Sequence, residues 1–226
     1  MIEVLSSFNC AANTFFVAVD LMDAFFARAG RALETRDVHL LGVTAMLLAS
    51  KQEEIVPFKV STVVEKMTHN KLRPRDVVEC ETEVLTALDF NPLTTPSLFV
   101  VVEMLLVKLG LHQGELSADL LKVVTYIAKM VMHDYAVLSR FPLKYIAASC
   151  LYICFKIVEQ VNREFKTKHF VDKIKAALEL DDVFFYKASE VVLHLAKNFE
   201  TTFPFAKNLQ KFDAFTLDER TRNCAV

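Results

Sequence analysis

Leu41-Gly42-Val43-Thr44-Ala45-Met46-Leu47-Leu48-Ala49-Ser50-Lys51-Gln52-Glu53-Glu54 decides the fold. The stretch has helical composition and is apolar on almost every side, whereas a surface helix would show a single apolar stripe. It belongs at the centre of a helical bundle. Gly42, Ala45, Ala49 and Ser50 are small enough for other helices to approach closely. The apolar run ends abruptly in charge. Lys51 therefore stands where a buried rod emerges, and a charge at such an exit is costly unless it meets a partner.

Outward from this rod, helical periodicity runs nearly end to end and no alternating strand pattern interrupts it. Helices are predicted over 12–29, 37–53, 58–68, 74–88, 96–109, 116–134, 142–159, 168–178 and 182–198. Pro57 follows the charged exit, Pro74 falls in a first turn, and Ser117 and Asp181 have cap chemistry. Asn91-Pro92-Leu93-Thr94-Thr95-Pro96 must be extended, because the residue before each proline avoids the helical region. The sequence thus predicts an all-α chain with domains at 1–92 and 93–200 and a tail at 201–226. The phenylalanines at 199, 203, 205, 212 and 215 are expected to fold back on the second domain, with 218–226 loose.

The two halves echo each other. Leu41 to Lys51 is matched in pattern by Ile146-Ala-Ala-Ser-Cys-Leu-Tyr-Ile-Cys-Phe-Lys156, and Glu83-Val-Leu-Thr-Ala-Leu88 by Glu190-Val-Val-Leu-His-Leu195. Two matches at nearly one spacing, about 105 residues, point to a five-helix unit used twice.

Composition narrows the function. The 226 residues are 53% hydrophobic, with Phe 19, Gly 4 and Trp 0, and the mean hydropathy is +0.30. No apolar run reaches the ~20 residues of a membrane span, and Met1 opens no secretory leader. The apolar excess fits a full core plus an exposed patch kept for a partner. A net charge of −2 and a pI near 6.3 speak against a nucleic-acid partner. The cysteines at 10, 80, 150, 154 and 224 form no CxxC pair, which reads as free thiols in a reducing compartment. Phosphate loops, a Gly-x-Ser-x-Gly elbow, paired carboxylates and metal-ligand clusters are all missing from the sequence, so neither catalysis nor a cofactor is expected. The histidines at 39, 69, 112, 133, 169 and 194 are scattered, and His133 and Asp134 point apart on a helix. Basic residues gather at Lys71, Arg73, Arg75 and at Arg163, Lys166, Lys168, Lys173, Lys175; the second group either guides acidic or phosphorylated ligands or is a solvated face interleaved with Glu164, Asp172 and Glu179.

Met46-Leu-Leu-Ala-Ser-Lys51-Gln-Glu-Glu54-Ile55 resembles the third-helix signature of the cyclin box, nearest to A- and B-type cyclins, with Gln52 where an aromatic is common. Ala18-Val-Asp-Leu-Met-Asp23-Ala-Phe-Phe26 is similar to the second helix of that box, and Asp76 to Phe90 to its fifth. The resemblance implies two tandem five-helix boxes in a non-catalytic subunit, nuclear or cytoplasmic, that binds and activates a cyclin-dependent protein kinase. By the same resemblance Lys51 and Glu81 contact the kinase backbone beside its αC helix, within a surface that includes Glu54, Ile55, Leu48 and Phe90. Glu3 and His39 match the rim of a groove for short Arg-x-Leu substrates or inhibitors. The family's helix before Met1 is largely missing, which implies a truncated chain or another mode of recruitment. Its Arg partners a buried aspartate matched here by Asp23, so the Asp23 pKa should rise or another cation should reach it. The alternatives are a DNA- and polymerase-binding factor of the TFIIB type, which should show a basic second repeat or a zinc ribbon, and a helical scaffold without a kinase.

Overall fold

The computed structural model describes residues 1–29, 34–91, 95–114, 116–206 and 209. Helices and no strands occur among them, so the all-α expectation holds. The chain divides into two compact units, Met1–Ser97 and Leu98–Val226.

The first unit contains α1 (Ile2–Ser7), α2 (Ala12–Arg28), α3 (Thr35–Glu53), α4 (Val60–Thr62) and α5 (Pro74–Ala87). A π-helical turn, Val63–Met67, continues α4. The rod is α3, and every residue from Val43 to Ser50 is buried. α2 and α5 both lie against it. A capping box between Glu34 and Asp37 starts α3 two residues earlier than its apolar pattern suggests. Pro74 opens α5 behind a second box between Arg73 and Asp76. Gly42 admits close approach: a Cβ there would lie 3.7 Å from Met1 Cε and 3.8 Å from Met22 Sδ.

The rod also holds a defect. Thr44 is fully buried, and its Oγ1 has no hydrogen-bond partner. Such an orphaned hydroxyl costs about 1–3 kcal/mol. Thr44→Val keeps the β-branched shape and removes the polar atom, so it should raise stability by about 1 kcal/mol in urea melts.

The second unit contains α6 (Leu98–Lys108), α7 (Ser117–Val131), α8 (Tyr135–Arg140), α9 (Leu143–Val161), α10 (Thr167–Leu178) and α11 (Asp182–Thr202). Its hub is α9, the helix that echoes α3, which contacts α6, α7, α10 and α11. Ser189 Oγ on α11 donates to Phe185 O and lies 3.1 Å from Ser149 Oγ on α9. Cys150 and Cys154 are free and buried, and burial pushes the Cys150 thiol up to about 12.

Several expectations need correction. Six helices rather than five occur among the described residues of this unit. The extra one, α8, starts because Asp134 caps it, accepting from Ala136 N at 2.9 Å and Val137 N at 3.3 Å; the predicted helix 116–134 ran through that cap. Leu116, not Ser117, is the N-cap of α7, whereas Asp181 does cap α11 by accepting from Phe184 N. α11 runs through Thr202, past the predicted tail boundary. Phe199 is buried, Phe203 is half-buried against His133, and Phe205 is 97% exposed, so the tail phenylalanines do not all turn inward. Phe212, Phe215 and Cys224 lie outside the described residues.

Candidate functional site

The charged exit of α3 meets α5. Lys51 Nζ lies 2.5 Å from Glu81 Oε1, with the lysine side chain 44% exposed and the glutamate 14%. The pair is thus open on the lysine side and seated on the glutamate side. Beyond it the chain leaves α3 through Glu54-Ile55-Val56-Pro57, where Ile55 and Val56 are strongly exposed. This loop is pinned at its far end. Phe58 N donates to Ser50 Oγ at 3.1 Å, and the Phe58 ring meets Phe8 edge-on at 5.1 Å. Two aliphatic side chains are therefore held out in water by a fixed turn. Val78, one turn before Glu81 on α5, is exposed as well. Phe90, just beyond α5, is 69% exposed and sits at φ 54, as does Asp89 at φ 53. That left-handed region disfavours a bulky residue.

Two residues expected on this surface have other surroundings in the free chain. Leu48 is buried within α3, because a rod with no polar face leaves no outward side at that position. Glu54 turns inward to α2. Its Oε1 accepts from Ala11 N at 2.8 Å and from the Thr14 hydroxyl at 2.5 Å. α2 has no cap of its own, since Ala11 stands at its N-cap, so a carboxylate 43 residues away in sequence supplies it. The neighbouring Cys10 thiol is pushed up to about 11, by burial first and by Glu54 second. Glu53 extends the clamp: Asn13 Nδ2 donates to Glu53 Oε2 at 2.7 Å, and Ser97 Oγ donates to Asn13 Oδ1 at 2.6 Å.

The family model of the cyclin N-terminal domain matches residues 1–92. Over those residues the chain is similar to the cyclin family. It is 26% identical over 165 residues to the G2/mitotic-specific cyclin-B of Hydra viridissima, covering 72% of this chain and 39% of that protein. It is 28% identical over 161 residues to the putative cyclin-A3-1 of Arabidopsis thaliana, covering 70% and 43%. It is also 28% identical over 160 residues to the G2/mitotic-specific cyclin cig2 of Schizosaccharomyces pombe, covering 71% and 36%. The relatives are A- and B-type, and the chain spans about two fifths of their length.

Asp23 is half-buried rather than buried, and burial raises its pKa. The stronger case is Asp20, one turn earlier on the same face of α2, which the sequence reading passed over although its i,i+3 spacing from Asp23 was visible. Its carboxyl is pushed up to about 7, by burial first and by the Asp23 charge second. No cation pairs with either among the described residues. The folded chain holds this proton more tightly than the unfolded chain, whose carboxyl has the ordinary value of 3.8. The charged form therefore costs stability above pH 7, and the cost fades as the pH falls toward 4. Asp20→Asn should raise stability at pH 8 by about 1–2 kcal/mol and leave it nearly unchanged at pH 4, as urea melts at the two values will read.

Glu3 on α1 and His39 on α3 are both exposed. Met1 reaches the Gly42 position of α3, so α1 begins against α3 one turn beyond His39.

Proposed function

We propose that this chain is a cyclin, a non-catalytic subunit that binds a cyclin-dependent Ser/Thr kinase through its first unit and activates it in cell-cycle control. The observation that carries the reading is the Lys51–Glu81 pair at the mouth of the buried rod, beside aliphatic side chains pinned in water. A half-exposed lysine can donate to a partner's carbonyls, and a seated carboxylate can accept from its amides, so the pair suits a backbone more than a particular side chain. Ile55, Val56 and Phe90 supply apolar anchor area around it.

Kinase catalysis needs the strand lysine paired with the αC glutamate, so whatever sets αC sets activity. A surface complementary only to the αC-in state shifts the population toward it. Moving 1:99 to 99:1 takes about 5.5 kcal/mol of differential binding, within reach of an interface of ~2,000 Å². The repeat supports assigning the contact to the first unit. The register that places Glu83 on Glu190 puts the buried Ala188 where Glu81 stands, and Lys156 pairs instead with Glu159 on its own helix at 3.9 Å. Glu3 and His39 are offered to short Arg-x-Leu substrates or inhibitors on the same reading.

Purified chain mixed with cyclin-dependent kinases should form a stable complex and raise phosphotransfer to a peptide substrate. No complex and no gain with any of them would end the proposal, and a specific DNA shift at physiological salt would favour the TFIIB-type alternative. Phe90 gives a finer test. Phe90→Gly relieves the left-handed strain while loosening the unfolded chain, so stability should stay within about 1 kcal/mol. Kinase affinity should drop by about tenfold or more in calorimetric titration, because the anchor is gone.

A further inference from the structure

The second unit carries an open groove of about 600 Å³ where α9 ends and α10 begins. Its floor is aromatic. The rings of Phe165 and Phe170 stack with centroids 4.8 Å apart and planes at 20°. Both lean on Phe155, which is fully buried, at 5.4 and 5.6 Å. The floor is thus fixed to the core and needs no rearrangement to receive a guest. Leu116, partly exposed, closes one side, and Asn162, Glu164, Lys166 and His169 form the rim.

The segment that supplies the rim, residues 162–169, carries net positive charge in a chain whose net charge is −2. Arg163, Lys166 and Lys168, all exposed, stand in that segment against one carboxylate, Glu164. Glu159 on α9 caps the start of α10, accepting from Thr167 N at 3.2 Å, and lies 3.9 Å from Lys156. Lys175, grouped with these residues in the sequence, belongs to a different arrangement, since it is paired with Asp172 and Asp182. The wider basic cluster therefore divides, and only its first part borders an apolar floor.

We propose that this groove docks a short acidic peptide segment of a partner protein, with one large apolar side chain on the Phe165–Phe170 floor and flanking carboxylates facing Lys166, His169 and Arg163. Apolar anchor and opposite charge are recognised together, and preorganisation of the floor lowers the cost of binding. A nucleic-acid strand would need a longer basic track than three cations provide. The site lies in the second unit and shares no residue with the Lys51–Glu81 face, so kinase binding and peptide docking can each fail without the other.

The test is selection of a displayed random dodecapeptide library on the full chain, followed by titration of the enriched peptides. Enriched sequences should place two or more Asp or Glu beside one Phe, Leu or other large apolar residue, and their affinity should fall as salt rises through about 0.15 M. Lys166→Glu, His169→Glu and Phe170→Ala should each weaken them by about tenfold or more. The two rim variants are exposed and leave the floor intact, and circular dichroism will show that they are folded. Absence of enrichment, a basic consensus, binding indifferent to all three variants, or capture only of oligothymidine or phosphatidylserine vesicles would each overturn the proposal.

Discussion

Alanine at Lys51 or at Glu81 is expected to weaken kinase binding by about 30- to 1,000-fold, or roughly 2–4 kcal/mol, while leaving the free chain folded. The asymmetry follows from exposure. In the free chain the pair is partly open to water, and such pairs contribute only ~0–1 kcal/mol. Against a kinase the same groups are desolvated, and removing one leaves the other, together with the backbone atoms it was to satisfy, buried without a partner. Because the two side chains touch at 2.5 Å, their losses should not add: the double alanine variant should bind about as weakly as the worse single one. Titration calorimetry against the kinase, with thermal melts of each variant, reads both quantities. Unchanged affinity in folded variants would remove the Lys51–Glu81 face from the binding surface.

The parts of the fold legible in the sequence were those set by burial pattern. A rod apolar all round could only be central, and α3 is. Its echo in α9 is a hub as well. Prolines at 57 and 74 and the cap at Asp181 fall where local chemistry put them. What could not be read was which way a side chain turns once several neighbours compete for it. Leu48 and Glu54 sit in the same motif as Lys51, yet one is enclosed by its own rod and the other is drawn to α2 by amide and hydroxyl groups 40 or more residues away. No local pattern encodes that preference. Short elements were missed for a related reason: α8 depends on one capping carboxylate, which a six-residue apolar period cannot announce. Asp20 was missed because its burial is a tertiary effect; only its spacing from Asp23 was visible.

Glu54 separates the family-based assignment from the contacts in this chain. If its role is to cap α2, Glu54→Ala removes the acceptor for Ala11 N and for the hydroxyl of Thr14, a residue that is fully buried. Loss of a cap costs about 1 kcal/mol, and an orphaned buried hydroxyl about 1–3 kcal/mol more. The expected destabilisation is therefore about 2–4 kcal/mol, a fall in melting temperature of about 10 °C or more for a unit of this size. Glu54→Gln keeps an acceptor oxygen and should lose less than half of that. Below the melting range the folded Glu54→Ala chain should still bind kinase within a few-fold of the parent, because the carboxylate faces α2 rather than the partner. The opposite pattern, a chain as stable as the parent that has lost kinase affinity, would return Glu54 to the binding surface and show that α2 holds its N-terminus by other means.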